Sequence, residues 1–210
     1  MTSARKSIIN CYVKSNDVYS QQVRIVLAEK GVAFNIKVVD TDEKMEELKK
    51  INSYGELPTL VDRDLVLYNS KVILEYLDER FPHPPLLPVY PILRAKARLT
   101  MARIEQDWYS KLNGAENSKS SDVKESLIQE LIQEINELSA VFEDSPYFLN
   151  KEFSLLDCYL VPMFFKLEAL GVNLDKSFSK SIIDYLRKIS ERSSIKTTIQ
   201  KLEAKEKDTL

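Results

Sequence analysis

The stretch YLDERFPHPPLLPVYP, residues 76–91, decides how the chain is divided, because no helix or strand can continue through it. Each proline fixes its own φ angle and keeps the residue before it away from the helical region. Five prolines fall within ten residues: Pro82, Pro84, Pro85, Pro88 and Pro91. Residues 82–91, hereafter the proline segment, are therefore predicted to be extended and to present their side chains at a low entropic cost.

The side chains in and beside this segment that suit a binding surface are Phe81, His83 and Tyr90, and His83 is the only histidine of the chain. Two roles fit these residues. The segment is a stiff connector between two domains, with its aromatic rings packed beneath it, or it is a surface that binds a partner. The rest of the chain has to separate these two interpretations.

The residues before the proline segment predict alternating strands and helices. Residues 8–13 and 34–38 are short β-prone runs, and the helix predicted between them, over residues 20–30, ends at Gly31. A strand, a helix and a second strand in this order make a β-α-β unit with parallel strands. A shorter helix is predicted next, around Leu48.

A hairpin and a third helix complete this part of the chain. Residues 58–61 and 65–68 predict two antiparallel strands joined by a turn at residues 62–64. Either Asn69 or Ser70 caps the helix that follows. Its apolar stripe consists of Ile73, Leu74 and Leu77. The predicted order up to residue 80 is therefore β-α-β-α-β-β-α.

Beyond the proline segment the pattern predicts helices only. A first helical face carries Ala97, Met101, Ile104, Trp108 and Leu112. A second face carries Val123, Leu127, Leu131, Ile135, Leu138 and Phe142. Between them, residues 113–122 are polar and rich in serine, which predicts an exposed loop.

The central helix of this part is predicted over residues 154–170, which are apolar nearly all round. Ser154 and Asp157, three residues apart, form a pair like a capping box at its start. Residues 182–189 predict one more helix. Residues 193–210, with lysine and glutamate in near balance, predict a final short helix and a frayed tail.

The composition excludes several classes of function. Lys and Arg number 30 against 32 Asp and Glu, so the net charge of -2 gives no electrostatic reason to expect nucleic acid as the direct ligand. The four glycines are isolated, which excludes a G-x-G-x-x-G fingerprint and a P-loop. The sequence contains neither a signal-peptide core nor a membrane-spanning run, so we expect a soluble cytoplasmic protein.

The two cysteines, Cys11 and Cys158, are far apart in sequence, and a single histidine leaves too few ligands for a zinc site. Cys11 falls on the first predicted strand and Cys158 falls inside the central helix. We therefore expect both thiols to be buried and unreactive. We predict neither a bound metal nor a cofactor.

Four segments of the chain resemble the glutathione transferase superfamily. They are VRIVLAEKG (residues 23–31), ELPTLVD (56–62), NSKVILEYLDERF (69–81) and FSLLDCYLVP (153–162). The resemblance implies a fold of class α/β plus all-α. It implies a thioredoxin-like domain over residues 1–82, a proline-rich connector over residues 83–91 and a helical domain over residues 92–210.

The same resemblance implies a glutathione site. The peptide bond between Leu57 and Pro58 would be cis, and its flanking backbone would hold the cysteine of glutathione as an added strand does. Ser70 matches the residue that binds the γ-glutamyl carboxylate at a helix N-terminus. Because Pro58 and Ser70 also fit purely structural roles, we expect Leu57, Pro58 and Ser70 to be a vestigial glutathione site.

The catalytic position departs from the superfamily pattern. Asp17 stands where a thiol or a hydroxyl is expected, and a carboxylate there repels a glutathione thiolate. Tyr12 lies one residue out of register with the tyrosine of the tyrosine-type enzymes, and Ser15 is a nearby hydroxyl without a clear counterpart. A glutathione-dependent transferase or peroxidase that uses Tyr12 or Ser15 is therefore the alternative function.

The proline segment resembles a bacterial branch of the superfamily whose members associate with RNA polymerase. Pro82, His83 and Pro84 match the Pro-His-Pro of that branch, and Tyr90 matches its nearby tyrosine. The resemblance implies that these four residues form a surface pocket required for action on transcription. A rigid backbone, aromatic rings and an imidazole suit a protein contact. With the resemblance included, we favour partner binding over a bare connector.

The leading hypothesis is thus a regulator of transcription in starvation and stress that has no catalytic residues. The resemblance implies a homodimer, in which the thioredoxin-like domain of one subunit contacts the helical domain of the other. It also implies contact with RNA polymerase holoenzyme near the sigma factor, without direct sequence-specific DNA binding. A third hypothesis is that a small charged ligand occupies the vestigial glutathione site or the dimer cleft and tunes partner binding.

Overall fold

The computed structural model describes residues 8–198. These residues form two compact units, which meet in the sequence at Pro84 and Pro85. The first unit combines a sheet with helices, and the second is helical apart from an isolated β-bridge between Tyr147 and Asn150. The predicted change from alternating elements to helices is confirmed.

The first unit is built on a mixed sheet with the strand order β2-β1-β3-β4. Its strands are β1 (Ile9–Val13), β2 (Phe34–Val38), β3 (Thr59–Asp62) and β4 (Leu65–Tyr68). β1 pairs in parallel with β2, and β3 pairs antiparallel with both β1 and β4. This is the predicted β-α-β unit followed by the predicted hairpin.

The helices of the first unit are α1 (Val18–Glu29), α2 (Asp42–Lys49) and α3 (Ser70–Arg80). α1 begins before the predicted residue 20, because the Asp17 carboxylate accepts a hydrogen bond from the backbone N–H of Ser20 at 2.7 Å and caps the helix. It ends as predicted, since Gly31 adopts a φ of 60°, in the region that glycine favours. α1 packs against α3.

The helices of the second unit are α4 (Pro91–Arg103), α5 (Ser110–Asn117), α6 (Ser121–Glu137), α7 (Ser139–Glu143), α8 (Leu155–Ala169), α9 (Leu174–Ser177) and α10 (Lys180–Ser190). α8 is buried along most of its length, so the predicted central helix is confirmed. α10 confirms the helix predicted over residues 182–189.

A π-helical segment, Ile104–Tyr109, joins α4 to α5. The first predicted apolar face is confirmed, because all five of its residues are buried. The wider π turn also buries Tyr109 beside Trp108, and the Tyr109 hydroxyl donates a hydrogen bond to the Tyr159 carbonyl at 2.7 Å. The periodicity of an α-helix does not anticipate two adjacent buried rings.

The prediction of an exposed loop over residues 113–122 is wrong for most of these residues. α5 continues to Asn117 and α6 begins at Ser121, so only residues 118–120 lie between the helices. The polar residues face solvent on a helix whose other side buries Leu112 and Ala115. An ion pair from Lys166 to Glu116, with 2.6 Å between Nζ and Oε1, holds its last turn.

The second predicted apolar face is only partly right. Leu131, Ile135 and Phe142 are buried, but Val123 and Leu138 are exposed by 49% and 41%. α6 instead buries Ile128 and Ile132, and it ends at Glu137, so Phe142 belongs to a separate helix, α7. The prediction treated α6 and α7 as one continuous helix, although the helix ends between them.

The end of the chain can be compared with its prediction only in part. Residues 193–198 are helical, and the rest of the helix and tail predicted over residues 193–210 lies outside the described residues. Within residues 8–198, none of the helices combines the length and the apolar character needed to cross a membrane.

Candidate functional site

Pro82, His83 and Pro84 lie at the surface of the first unit, directly after α3. All three residues are exposed, and the peptide bond between His83 and Pro84 is cis. The last turn of α3 is closed by the backbone N–H of Phe81, which donates to the Leu77 carbonyl at 3.0 Å. The only imidazole of the chain is therefore presented to solvent on a backbone in which both neighbouring φ angles are fixed.

The second half of the proline segment belongs to the second unit, and two buried residues in it are followed by two exposed ones. Leu86 and Leu87 are exposed by only 3% and 5%, whereas Val89 and Tyr90 are exposed by 75% and 73%. Tyr90 precedes Pro91, the first residue of α4, and its carbonyl accepts the backbone N–H of Arg94 at 2.9 Å. The Tyr90 ring is thus free to contact a partner while its backbone is held.

A groove of about 540 Å³ runs beside these residues within the second unit. One wall is formed by residues 85–89 and Leu93, and the other by residues 149–154 together with Ser145. The backbone N–H of Leu155, at the start of α8, donates to the Leu86 carbonyl at 2.8 Å. The proline segment is therefore joined to the start of the central helix of this unit by a backbone hydrogen bond, and its two leucines are buried.

The residues predicted to be a vestigial glutathione site, Leu57, Pro58 and Ser70, lie in two parts of the first unit. The peptide bond between Leu57 and Pro58 is cis, as the resemblance implies. Ser70 is the buried first residue of α3. Of the two candidate caps of that helix, the cap is Asn69, whose Oδ1 accepts the backbone N–H of Lys71 at 3.1 Å. Asn69 has a φ of 72°, a conformation that asparagine tolerates better than most residues.

The hydroxyl and carboxyl groups near the expected catalytic position already have partners. Asp17 caps α1, and burial raises the pKa of its carboxyl group above the usual value. The Ser15 hydroxyl donates a hydrogen bond to Asp40 Oδ2 at 2.5 Å. The Tyr12 hydroxyl accepts one from Lys37 Nζ at 3.2 Å, and the same ammonium lies 5.0 Å from the centre of the Tyr12 ring.

Cys11 and Cys158 are completely buried, as predicted. Burial raises the pKa of Cys11 to about 12, and the opposing effect of Arg24 is smaller. A thiol with such a pKa is protonated at neutral pH, so Cys11 is a poor nucleophile. Across residues 8–198, no group of three or more His, Cys, Asp and Glu side chains is arranged to hold a metal ion.

Comparison with known proteins supports the family assignment. Residues 18–80 match the family described as glutathione S-transferase, N-terminal domain. The chain is 51% identical to a stringent starvation protein A homolog of Pasteurella multocida (strain Pm70), with 92% of each chain covered. It is 47% identical to a homolog of the same name from Histophilus somni, with 98% of this chain and 97% of the relative covered.

The chain belongs to the stringent starvation protein A family. This family lies within the glutathione transferase superfamily, and the predicted fold class is confirmed. The structure is similar to that of glutathione transferase Omega 3C from Trametes versicolor, with a TM-score of 0.78 and 23% identity, covering 90% of this chain and 88% of that one. At that identity the similarity shows the fold alone.

In this stringent starvation protein A family member, Ser154 and Asp157 mark the start of α8. Asp157 Oδ2 accepts the backbone N–H of Ser154 at 2.8 Å, and Oδ1 accepts the backbone N–H of Phe148 at 2.9 Å. The Tyr185 hydroxyl donates to the same Oδ1 at 2.9 Å. Asp157 therefore connects the helix start to the preceding loop and to α10, a wider role than the sequence pattern indicates.

Sequence reasoning missed the buried polar residues that support these sites in the stringent starvation protein A fold. Asn52, exposed by only 3%, donates from Nδ2 to Thr59 Oγ1 at 3.0 Å and to the Glu56 carbonyl at 3.3 Å. It thereby holds the loop that carries the cis bond before Pro58. Lys30 and Asp78 form a buried ion pair between the C-terminal ends of α1 and α3. Pairs this far apart leave no signal in helical or strand periodicity.

Proposed function

We propose that this protein is a non-enzymatic regulator of transcription in starvation and stress, acting in the cytoplasm by contact with sigma-bound RNA polymerase holoenzyme. The contact residues are Pro82, His83, Pro84 and Tyr90. The observation that carries the proposal is their exposure on a backbone that is fixed by proline rings and by buried neighbours. Such residues lose little conformational freedom when a partner binds.

The residue types support a protein contact. Single apolar side chains at a surface need no explanation, but here Val89 and Tyr90 are adjacent and each is about three-quarters exposed. Tyrosine is among the residues that most often carry binding energy at interfaces. The near balance of acidic and basic residues supports recruitment through a protein partner over direct binding of DNA.

The state of the catalytic position supports a role without catalysis. Asp17, Ser15 and Tyr12 each take part in an interaction within the first unit, as a helix cap, a hydrogen-bond donor to Asp40 and an acceptor from Lys37. A group that activates a glutathione thiol has to face the thiol instead. The alternative function, a glutathione-dependent transferase or peroxidase, draws its support from Ser70 at the start of α3.

A homodimer is part of the proposal. Each unit exposes large apolar side chains that a second subunit can cover: Tyr54 and Val72 in the first unit, and Ile92 and Leu99 in the second. Their exposures range from 51% for Val72 to 73% for Ile92. Contact between the first unit of one subunit and the second unit of the other would remove these surfaces from water.

The test is size-exclusion co-elution with sigma-bound RNA polymerase from the same source. We expect the wild type to co-elute and the double variant His83→Ala, Tyr90→Ala to lose at least about tenfold in affinity, because interface anchors of this kind dominate binding energy. Two controls accompany it. Val123→Ala truncates an exposed apolar side chain that belongs to neither proposed interface, and Ser70→Ala alters the vestigial glutathione site; both should bind as the wild type does.

Unchanged co-elution of the folded double variant would contradict the proposed contact surface. A wild type that fails to co-elute but is retained on glutathione resin, with Ser70→Ala losing that retention, would favour the transferase or peroxidase alternative. Thermal unfolding of each variant, and its elution volume without polymerase, verify that the fold and the oligomeric state are intact.

A further inference from the structure

A buried ion pair lies directly beneath the exposed Pro-His-Pro residues of the first unit. The Lys30 side chain is completely buried and the Asp78 side chain is exposed by 7%. Lys30 Nζ lies 2.6 Å from Asp78 Oδ1 and also 2.6 Å from the carbonyl oxygen of Pro84. One ammonium group therefore joins the end of α1, the last turns of α3 and the backbone of the proline segment.

The sequence of the segment explains why its backbone is held in this way. Pro82, Pro84 and Pro85 have no backbone N–H, so between residues 82 and 85 only His83 can donate a hydrogen bond from the main chain. Such a run is fixed through its carbonyl oxygens, and these need donors from elsewhere. Lysine supplies several N–H donors on one side chain and accepts none.

The position of Lys30 in α1 suits this role. Its backbone N–H donates to the Val26 carbonyl at 2.9 Å, and the next residue, Gly31, turns the chain away from the helix. The backbone of Lys30 is thus fixed by the end of the helix, and its ammonium group is fixed by Asp78. A buried pair of charges contributes little net stability after desolvation, but it selects one arrangement of the groups that it joins.

Resting on the proposed function, we infer that Lys30 and Asp78 are positioning residues that hold His83 and its flanking prolines in the arrangement that binds the partner. Asp78 fixes the ammonium group, and the ammonium group fixes the Pro84 carbonyl. His83, which precedes Pro84, presents its ring from a backbone that this contact holds in place. Loss of the pair alters the presented surface without removing any residue from it.

The test uses the single histidine as its own reporter. In protein without a histidine tag, the imidazole Cε1–H gives one proton NMR signal, because His83 is the only histidine. We expect Lys30→Met to shift or broaden this signal. Lys49→Met is the matched control: it makes the same change in a lysine that is 47% exposed and paired with Glu46, and it should leave the signal unchanged. An unmoved signal in folded Lys30→Met would overturn the inference.

A second variant covers the case in which Lys30→Met does not fold because it leaves the Asp78 charge buried without its partner. Lys30→Met combined with Asp78→Leu removes both charges and keeps similar volumes, a change that buried pairs often tolerate. This double variant should unfold near the wild-type temperature and still show the altered His83 signal. A stable double variant with a wild-type signal would refute the positioning role.

Binding to polymerase then separates this inference from the proposed function. We expect the double variant to bind roughly tenfold more weakly than the wild type, and adding His83→Ala to it to cause little further loss, because both changes act on one contact. Wild-type affinity of the double variant, alongside weakened His83→Ala, would overturn the inference alone. If His83→Ala binds normally, the proposed function fails, and the NMR signal still decides whether the pair positions His83.

Discussion

The predicted vestigial glutathione site and the proline segment differ in whether their polar and aromatic groups contact the rest of the fold or solvent. Around the first, Asp17 caps a helix, Ser15 donates to Asp40 and Ser70 is buried. In the second, His83 and Tyr90 are exposed while the residues beneath them are fixed. The polar groups of the first region form contacts within the fold, whereas the imidazole and the phenol ring of the second region remain exposed to solvent. The predictions below test this contrast.

The largest effect is expected inside the proline segment itself. Leu87→Ala removes a side chain that is exposed by only 5%, so the variant should lose about 3 kcal/mol of unfolding free energy through lost burial and the cavity that remains. Val89→Ala, two residues away and 75% exposed, should change stability by less than about 0.5 kcal/mol. Urea unfolding of the two variants and the wild type measures both differences.

Equal losses for the two variants would contradict the division of the segment into buried anchors and exposed contacts. The same pair also separates stability from binding. Val89 adjoins Tyr90, so Val89→Ala should weaken polymerase binding with the fold intact, which the co-elution assay measures alongside the unfolding curve.

A smaller effect is expected at the position where the superfamily has its catalytic group. Asp17→Ala removes the hydrogen bond to the backbone N–H of Ser20 and should cost about 1 kcal/mol, the usual value of a helix cap. Asp17→Ser keeps a side chain that caps helices well and should retain most of that stability. Thermal and urea unfolding of both variants distinguish them.

If Asp17→Ala were as stable as the wild type, the carboxylate would have no structural role at α1. The polar groups of the first region would then not all serve to stabilise the fold. The function of Asp17 would then have to be sought in a ligand. Glutathione-resin retention of the wild type and of Asp17→Ser would show whether that ligand is glutathione.

Most of the fold was predictable because it rests on local patterns. The strand and helix order up to residue 80, the central helix and its start at Ser154 follow from periodicity, turn residues and capping pairs. The errors arose where a polar composition was taken to indicate a loop, and where a helical period was continued past the end of a helix. Residues 113–117 are mostly polar but helical, and the predicted stripe from Val123 to Phe142 crosses the end of α6.

The sites were predictable only where resemblance or single residue types indicated them. The contacts that position them join residues distant in sequence: Lys30 reaches Asp78 and Pro84, and Ser15 reaches Asp40. Such contacts depend on tertiary packing, which no periodic pattern encodes. The boundaries of the connector at residues 83–91 and the binding roles of Pro82, His83, Pro84 and Tyr90 stay predictions.

The smallest effect concerns the pH dependence of stability at Asp17. Burial raises the pKa of this carboxyl group in the folded protein above its value in the unfolded chain, about 3.9. The folded state therefore binds the proton more tightly, and the contribution of Asp17 to stability falls as the pH rises from the unfolded value through the folded one. Asp17→Asn caps the helix equally well but does not titrate.

The stability of Asp17→Asn relative to the wild type should accordingly increase as the pH rises from the unfolded pKa, about 3.9, to the folded pKa, and stay level above it. Other titrating groups, including Asp157, are common to both proteins and cancel in the difference. A relative stability that decreases over this range would mean that the helix N-terminus and the Ser20 N–H outweigh burial. Asp17 would then occupy a site that favours negative charge, and the start of α1 would resemble an anion site more than a simple cap.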